Sequence, residues 1–377
     1  MIPCQRSLFS IPSDVVYLNT AYMSPLMTSV VDAVNYGAKL KATPWDITIS
    51  DFFENSELAR NLFADIVNVS SKNIALVPSA SYGLETAAKN LRVGNGRSVV
   101  ILENQFPSHV YPWQRLVKET GGKLIKVKEK QDRNLTELVL EFIDEKCAIV
   151  AVPNVLWTKG LMLDLILISQ RCKEVGAALV LDLTQSLGAM NTDLGKIDPD
   201  FAVIAAYKWM MSPYSTGYLY VNERHWYGEP LEGNWISRQD GKNFSNLINY
   251  TDHYEDGAVR FDVGERANFA LLPGAIKALK QIEEWGVKNI EATLRKNNST
   301  LAARLCSLGL SVPSECSRGP HFIGAKLPTT FKGDILDVLS RKKIYVSERG
   351  GVLRITPHLW NSATDFDRLI DVLSKHI

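Results

Sequence analysis

The sequence has no CxxC pair, no GxxxxGK[ST] loop, no apolar run long enough to span a bilayer and no surplus of either charge. Each absence excludes something. The five cysteines (Cys4, Cys147, Cys172, Cys306, Cys316) are odd in number and scattered, which argues for a reduced interior rather than a disulfide framework. A net charge of +1 gives no reason to expect nucleic acid or an anionic membrane as a partner. The opening Met1-Ile2-Pro3-Cys4-Gln5-Arg6 leads into no apolar segment of signal-peptide length, so a cytoplasmic location is expected. Gly94-Asn95-Gly96 lacks a third glycine and precedes its strand, so it is no dinucleotide fingerprint. No His/Cys cluster has zinc spacing, and no metal is expected.

What is present is a globular chain of 377 residues with 46% hydrophobic content, more than one core usually serves, so two domains are expected. From about residue 73 to 222, short β-rich runs alternate with helical patterns. The runs are 74–77, 98–102, 123–127, 148–152, 178–182, 201–205 and 217–221; the helical stretches are 83–91, 110–120, 135–145 and 165–175. Runs apolar on both faces, alternating with helices, predict a mostly parallel seven-stranded sheet with helices on both faces: an α/β architecture. The polar stretch 232–256 breaks the rhythm and reads as a long functional loop. Beyond Arg260 the pattern becomes a long helical region (271–308), strands near 321–326, 344–346 and 352–355, and helices at 335–342 and 363–376. This predicts a smaller α+β C-terminal domain, with the large domain at 15–258 and the small one at 1–14 and 259–377.

Two charged residues stand in apolar surroundings: Asp182, ending Ala177-Ala178-Leu179-Val180-Leu181, and Lys208, within Val203-Ile204-Ala205-Ala206-Tyr207-Lys208-Trp209. Buried ions are costly unless paired, so a carboxylate and an amine after successive strands form a natural pair of anchors. They suit pyridoxal 5'-phosphate (PLP), which needs a lysine for its Schiff base and an acid beside its pyridine nitrogen. An apolar neighbourhood lowers the amine's pKa, as Schiff-base formation requires. An aspartate at a strand end also commonly caps a helix, and a lysine commonly lies on the surface; the pairing of the two favours the cofactor. Gln185 has the right spacing to reach the ring hydroxyl, against the alternative of a solvated amide. The helix after strand 74–77 opens in Pro78-Ser79-Ala80-Ser81, whose small residues let backbone N–H groups approach a phosphate; a plain serine N-cap is the alternative. Phe106 follows strand 98–102 and is placed to cover the ring face, although a core phenylalanine is the commoner case. His109 invites a reading as a base, but a lone histidine is usually structural.

In this order the pieces resemble the class V aminotransferase family of PLP-dependent enzymes (fold type I), which includes cysteine desulfurases, kynureninases and isopenicillin-epimerase-like proteins. The resemblance runs from Tyr17-Leu18-Asn19-Thr20 through Phe106-Pro107-Ser108, Pro153-Asn154-Val155, Asp182-Leu183-Thr184-Gln185 and Tyr207-Lys208-Trp209 to Leu353-Arg354-Ile355-Thr356-Pro357-His358. It implies Lys208 as the aldimine lysine and Asp182 on the ring nitrogen, with Gln185 and Asn154 near the ring hydroxyl. It implies Phe106 on the ring face, Ala80 and Ser81 at the phosphate, and Arg354 with Asn19 on the substrate side, Arg354 clamping an α-carboxylate. Tyr207 stands where a histidine often precedes the lysine, with Ala205 for a serine, and compensates for the lost phosphate hydroxyl. Trp157 replaces a small residue and narrows the pocket. The Gly-Thr that often reaches a partner subunit's phosphate is replaced by Gly264-Glu265-Arg266, and a phosphate role for Arg266 stays open.

The stretch 341–351, where desulfurases carry a nucleophilic cysteine, has none, so desulfurase activity is not expected. The resemblance implies a homodimer acting on an amino acid or related amine through a Lys208 aldimine and a Cα carbanion. Aminotransferase is the preferred outcome; an epimerase/racemase or lyase is the alternative. A PLP-binding protein without turnover is the rival from another class.

Overall fold

The computed structural model describes residues 1–130, 133–331 and 333–377. Its strands are Val16–Tyr17 (β1), Ile74–Val77 (β2), Ser98–Leu102 (β3), Lys123–Val127 (β4), Cys147–Pro153 (β5), Ala178–Asp182 (β6), Phe201–Ala205 (β7), Gly217–Val221 (β8), Ile323–Ala325 (β9), Ile344–Tyr345 (β10), Ser347–Arg349 (β11) and Val352–Ile355 (β12). Seven of them form one sheet in the order β2-β8-β7-β6-β5-β3-β4. Strand β8 runs antiparallel to both neighbours, and the other pairings are parallel. The expected mostly parallel seven-stranded α/β sheet is therefore present.

Alternation along each strand divides the interior into two cores. Ile74, Leu76, Val150, Val152, Leu179 and Leu181 point to one face, where the helices Glu54–Val67, Leu165–Val175 and Leu272–Trp285 pack. Ala75, Val77, Val99, Ile101 and Val180 point to the other, under Ala80–Asn90 and Tyr111–Thr120. Both faces are apolar, so these strands read as unbroken hydrophobic runs in the sequence. Phe63 stacks on Tyr218 with ring centroids 4.2 Å apart, clamping one helix to β8. Edge strand β4 carries exposed Lys123 and Lys126 among its apolar residues, a common protection against further strand pairing.

The opposite edge, β2, is closed by side chains. The Leu76 amide donates to Asp262 Oδ1 at 2.7 Å, and Val263 N donates to the Leu76 carbonyl. Arg60 donates to the Ile74 carbonyl and pairs with Asp262 at 2.7 Å. Arg266 pairs with the same carboxylate at 2.5 Å. Buried guanidinium groups on a buried carboxylate satisfy an edge that would otherwise be left dry.

The C-terminal part has its own core. Strands β11-β12-β9 form an antiparallel sheet, and β1 returns to pair in parallel with β10. Val16 and Leu18 therefore pack with Leu301, Leu305, Leu353, Ile355 and Leu369. The helical region read as 271–308 is two helices, Leu272–Trp285 and Val287–Ser307, because Gly286 takes φ 72° between them. Residues 232–256 hold no strand and only a short 3-10 turn, Phe244–Asn246. Among the described residues, no helix is long and apolar enough to cross a membrane.

Candidate active site

Parallel strands bring their carboxyl ends to one side of the sheet, and side chains after β2, β3, β5, β6 and β7 converge there on one cavity of about 210 Å³. Asp182 is the last residue of β6, opposite Pro153 of β5 and Val203 of β7. Lys208 lies just beyond β7. The two segments after these strands are held together by the Ala205 amide donating to Thr184 Oγ1 at 3.0 Å and Leu183 N donating to the Val203 carbonyl. Gly188 makes the approach possible: at φ +98°, a Cβ there would lie 2.6 Å from the Trp209 carbonyl oxygen.

The cavity wall carries Asp182, Gln185, Phe106, Ala80, Ser81, Tyr207 and Lys208. Lys208 is 7% exposed, and burial pulls its amine down to about 8; the negative charge of Asp182 opposes that shift, while Arg354 and Arg349 reinforce it. Its Nζ lies 5.5 Å from the centre of the Phe106 ring and 5.5 Å from that of Tyr207. Asp182 Oδ1 accepts from the Thr184 amide at 3.0 Å. Tyr207 packs on Tyr214, centroids 4.7 Å apart, and burial pushes its phenol up to about 12, so it stays a hydroxyl.

The helix Ala80–Asn90 begins three residues earlier than its periodicity predicts, which puts Ala80 and Ser81 in its first turn. Ser79 caps it by accepting from Tyr82 N at 3.2 Å. A serine cap and a phosphate cradle are therefore compatible, since the cap engages Tyr82 and the Ala80 and Ser81 amides lie ahead of it. Gln185 is tied at both ends of its amide: Nε2 donates to the Ala21 carbonyl at 3.0 Å, and Oε1 accepts from Trp209 Nε1 at 3.1 Å. Phe106 is 39% exposed and meets Trp157 edge to face at 5.4 Å, so it is a wall of the cavity rather than core.

Three sequence-predicted residues are not on this wall. Asn154 is buried beside it with its Oδ1 unpartnered among the described residues. Arg354 and Asn19 stand behind Trp157. Arg354 donates through Nη1 to the Trp157 carbonyl at 3.1 Å and through Nε and Nη2 to Ser347 Oγ at 3.0 and 2.8 Å. Ser347 in turn donates to Asn19 Oδ1 at 2.7 Å. Arg354 is 2% exposed, no carboxylate partners it among the described residues, and burial followed by Arg349 pulls it down to about 10. Arg266 turns to Asp262 of its own chain, away from this wall. Sequence reasoning missed Ser347, Thr184 and Tyr214. Thr184 sits inside the Asp182–Gln185 motif and was legible as its brace; Ser347 becomes visible only through the pairing of β11 with β12, which sets it opposite Arg354.

These features fit PLP. A desolvated amine and a carboxylate share the cavity, the helix-start residues Ala80 and Ser81 line it, the buried Asn154 Oδ1 has no hydrogen-bond partner among the described residues, and the buried Arg354 has no carboxylate partner there. Fold and site together define an enzyme of PLP fold type I. Comparison with known proteins agrees: residues 16–354 match the family described as Aminotransferase class-V, and the chain belongs to it. It is thus a PLP-dependent enzyme of that family. Similar proteins include a probable cysteine desulfurase of Pyrococcus abyssi, 25% identical over 85% of this chain and 82% of that protein. An uncharacterized aminotransferase, YcbU, of Bacillus subtilis is 24% identical over 98% of this chain and 96% of its own. The apo structure of a cysteine desulfurase from Thermococcus onnurineus NA1 superposes with TM-score 0.85 at 20% identity, covering 100% of this chain and 98% of that one.

Proposed function

We propose that the protein is an aminotransferase acting on an amino acid or related amine, with Lys208 and Asp182 as its catalytic pair. The observation that carries the reading is the shared cavity of Lys208 and Asp182, backed by a buried Arg354 without a carboxylate of its own. PLP bound there would act as an electron sink for the substrate's Cα. Lys208, neutral above about pH 8, supplies the attaching nitrogen and then takes and returns the Cα proton. Asp182 would stand by the ring nitrogen and favour its protonated form. The Ala80 and Ser81 amides would hold the phosphate, Phe106 would cover the ring, and Gln185 and Asn154 would serve its hydroxyl. Tyr207 adds a hydroxyl on the lysine side.

Arg354 binds the substrate α-carboxylate, with Asn19 and Ser347 fixing its plane. Arg354→Lys keeps the charge but loses the two-pronged fork. It is expected to raise KM roughly 10–100-fold with a smaller change in kcat, the cost of a lost charged hydrogen bond. An unchanged KM would remove Arg354 from the substrate.

The desulfurase reading is disfavoured: residues 341–351 contain no cysteine, and no cysteine lines the cavity among the described residues. Epimerase/racemase or lyase chemistry is the second reading, since the same lysine can return the proton to another face of Cα. Mixing the purified enzyme with single amino acids, without an oxo acid, separates them. Transamination converts the visible absorption band to that of the aminated cofactor and releases an oxo acid. Retention of the band with loss of optical rotation sinks the aminotransferase assignment.

The same reading includes a homodimer in the cytoplasm and two units; the division at 15–258 against 1–14 with 259–377 shifts at both ends, because Val16 and Leu18 pack in the C-terminal core and Leu272–Trp285 packs on the large sheet. Free cysteines suit a reducing compartment.

A further inference from the structure

Gln185 is held at three points by residues outside the turn that carries it. Trp209 Nε1 donates to its Oε1 at 3.1 Å, its own Nε2 donates to the Ala21 carbonyl at 3.0 Å, and His321 Nε2 meets its main-chain carbonyl at 2.6 Å. An indole only donates and a carbonyl only accepts, so these contacts decide which end of the amide is which. The flipped amide would set N–H against N–H at Trp209 and oxygen against oxygen at Ala21, losing both bonds in a buried place. The same rule fixes His321: its Nε2 carries the hydrogen, and its Nδ1, buried without a partner among the described residues, is bare.

His321 belongs to the turn before β9, and that turn is itself anchored. Gly319 N donates to the Gly160 carbonyl at 2.8 Å, and Asn298 Nδ2 donates to the Pro320 carbonyl at 2.8 Å. The imidazole meets the Trp209 ring edge to face with centroids 4.3 Å apart, and both side chains are buried. Trp209 directly follows Lys208, so one indole ties the lysine's segment to the glutamine, and one imidazole backs both. Gln185 itself lines the cavity, and only one of its two amide hydrogens has a partner among the described residues.

We propose, building on the PLP reading above, that Trp209 and His321 are positioning residues that lock Gln185 as a hydrogen-bond donor towards the bound cofactor's ring oxygen. An ionised ring oxygen needs an N–H and is repelled by an amide oxygen, so the lock excludes the wrong orientation. Trp209 acts on the side chain by engaging Oε1, and His321 acts on the main chain of the same residue.

The test measures how strongly full-length protein, stripped of cofactor, prefers PLP to the analogue of PLP that lacks the ring hydroxyl. Comparing the two ligands isolates the contact at that oxygen, because a general packing defect weakens both alike. Wild type is expected to favour PLP by roughly 10-fold or more, the scale of a hydrogen bond to a charged group. Trp209→Phe keeps the aromatic packing without the N–H, and His321→Phe keeps a ring on Trp209 without the donor. Each is expected to cut the preference by about fivefold or more, whereas His321→Gln, which retains an N–H, stays within about threefold of wild type. In a Gln185→Ala background, Trp209→Phe should leave the preference where Gln185→Ala alone puts it. Equal weakening of both ligands in the two Phe variants, or an undiminished preference, would overturn the proposal. Wild-type protein that takes up no PLP refutes the cofactor reading instead, and uptake without any preference removes Gln185 from the ring oxygen; both results are distinct from a preference that survives Trp209→Phe.

Discussion

Lys208→Ala is expected to remove the visible absorption band and leave no cofactor covalently bound after borohydride reduction. Lys208 is the only amine on the cavity wall among the described residues, so no other side chain can take over the attachment. Turnover should fall by at least the ~10²–10⁴-fold that a positioned general base contributes, and further because attachment is lost as well. A pH dependence follows from the burial of this amine. Its ammonium form is penalised and its pKa is pulled down to about 8, so the nucleophilic neutral form grows as pH rises through that value. Capture of PLP by the stripped wild-type protein should therefore quicken from pH 7 to pH 9 and level off above. An ordinary exposed lysine would still be gaining at pH 10. Mass spectrometry of the reduced protein decides the first point: a cofactor adduct retained by the Ala variant would refute the anchor assignment.

Much of the sheet was legible because its strands are apolar on both faces. Ile74–Val77, Ser98–Leu102 and Phe201–Ala205 form unbroken runs whose ends coincide with the observed ones. Helices were harder. Thr28–Leu40 and Glu54–Val67 escaped notice, although both pack against Leu272–Trp285. Glu54–Val67 buries Ser56 and Arg60 with its apolar residues, which blurs the stripe a helix normally shows. Besides nearby Glu57 and the Ile74 carbonyl, Arg60 is held by the buried carboxylate of Asp262, 202 residues later, which no local pattern reveals. The stretch 135–145 is helical only to Leu140, after which the chain turns into β5.

The site divides along the same physical line. Residues placed by the ends of parallel strands (Asp182, Lys208, Phe106, Ala80 and Ser81) reach one cavity because the topology itself gathers them. What could not be read was the web of contacts made between segments distant in sequence. Ser347 joins Asn19 to Arg354 over a sequence separation of 328 residues, and His321 Nε2 lies 2.6 Å from the Gln185 carbonyl across 136. Trp157, read as a residue that narrows the pocket, also carries the carbonyl that holds Arg354 and anchors its indole N–H on the Asn104 carbonyl at 2.7 Å. It therefore couples the ring-face wall to the arginine assigned to the substrate.

Asp182→Asn should separate cofactor binding from catalysis. The amide keeps the side chain's size and an oxygen for the Thr184 N–H, so the turn after β6 survives and PLP still binds through Lys208 and the helix-start amides. What disappears is the negative charge proposed to stand opposite the ring nitrogen. Without it the protonated ring is no longer favoured, and turnover is expected to fall about 10²–10³-fold, the scale on which one well-placed electrostatic partner acts. A second consequence has the opposite sign. Asp182 raises the pKa of Lys208 against the effect of burial, so its removal lets the amine fall further below about 8. The pH midpoint for PLP capture should then move to lower pH in the variant, even as catalysis collapses. A simple packing defect would slow capture and turnover together and leave the midpoint in place. Wild-type turnover in Asp182→Asn would remove the carboxylate from the chemistry, and a midpoint displaced upward would mean that its charge does not act on Lys208.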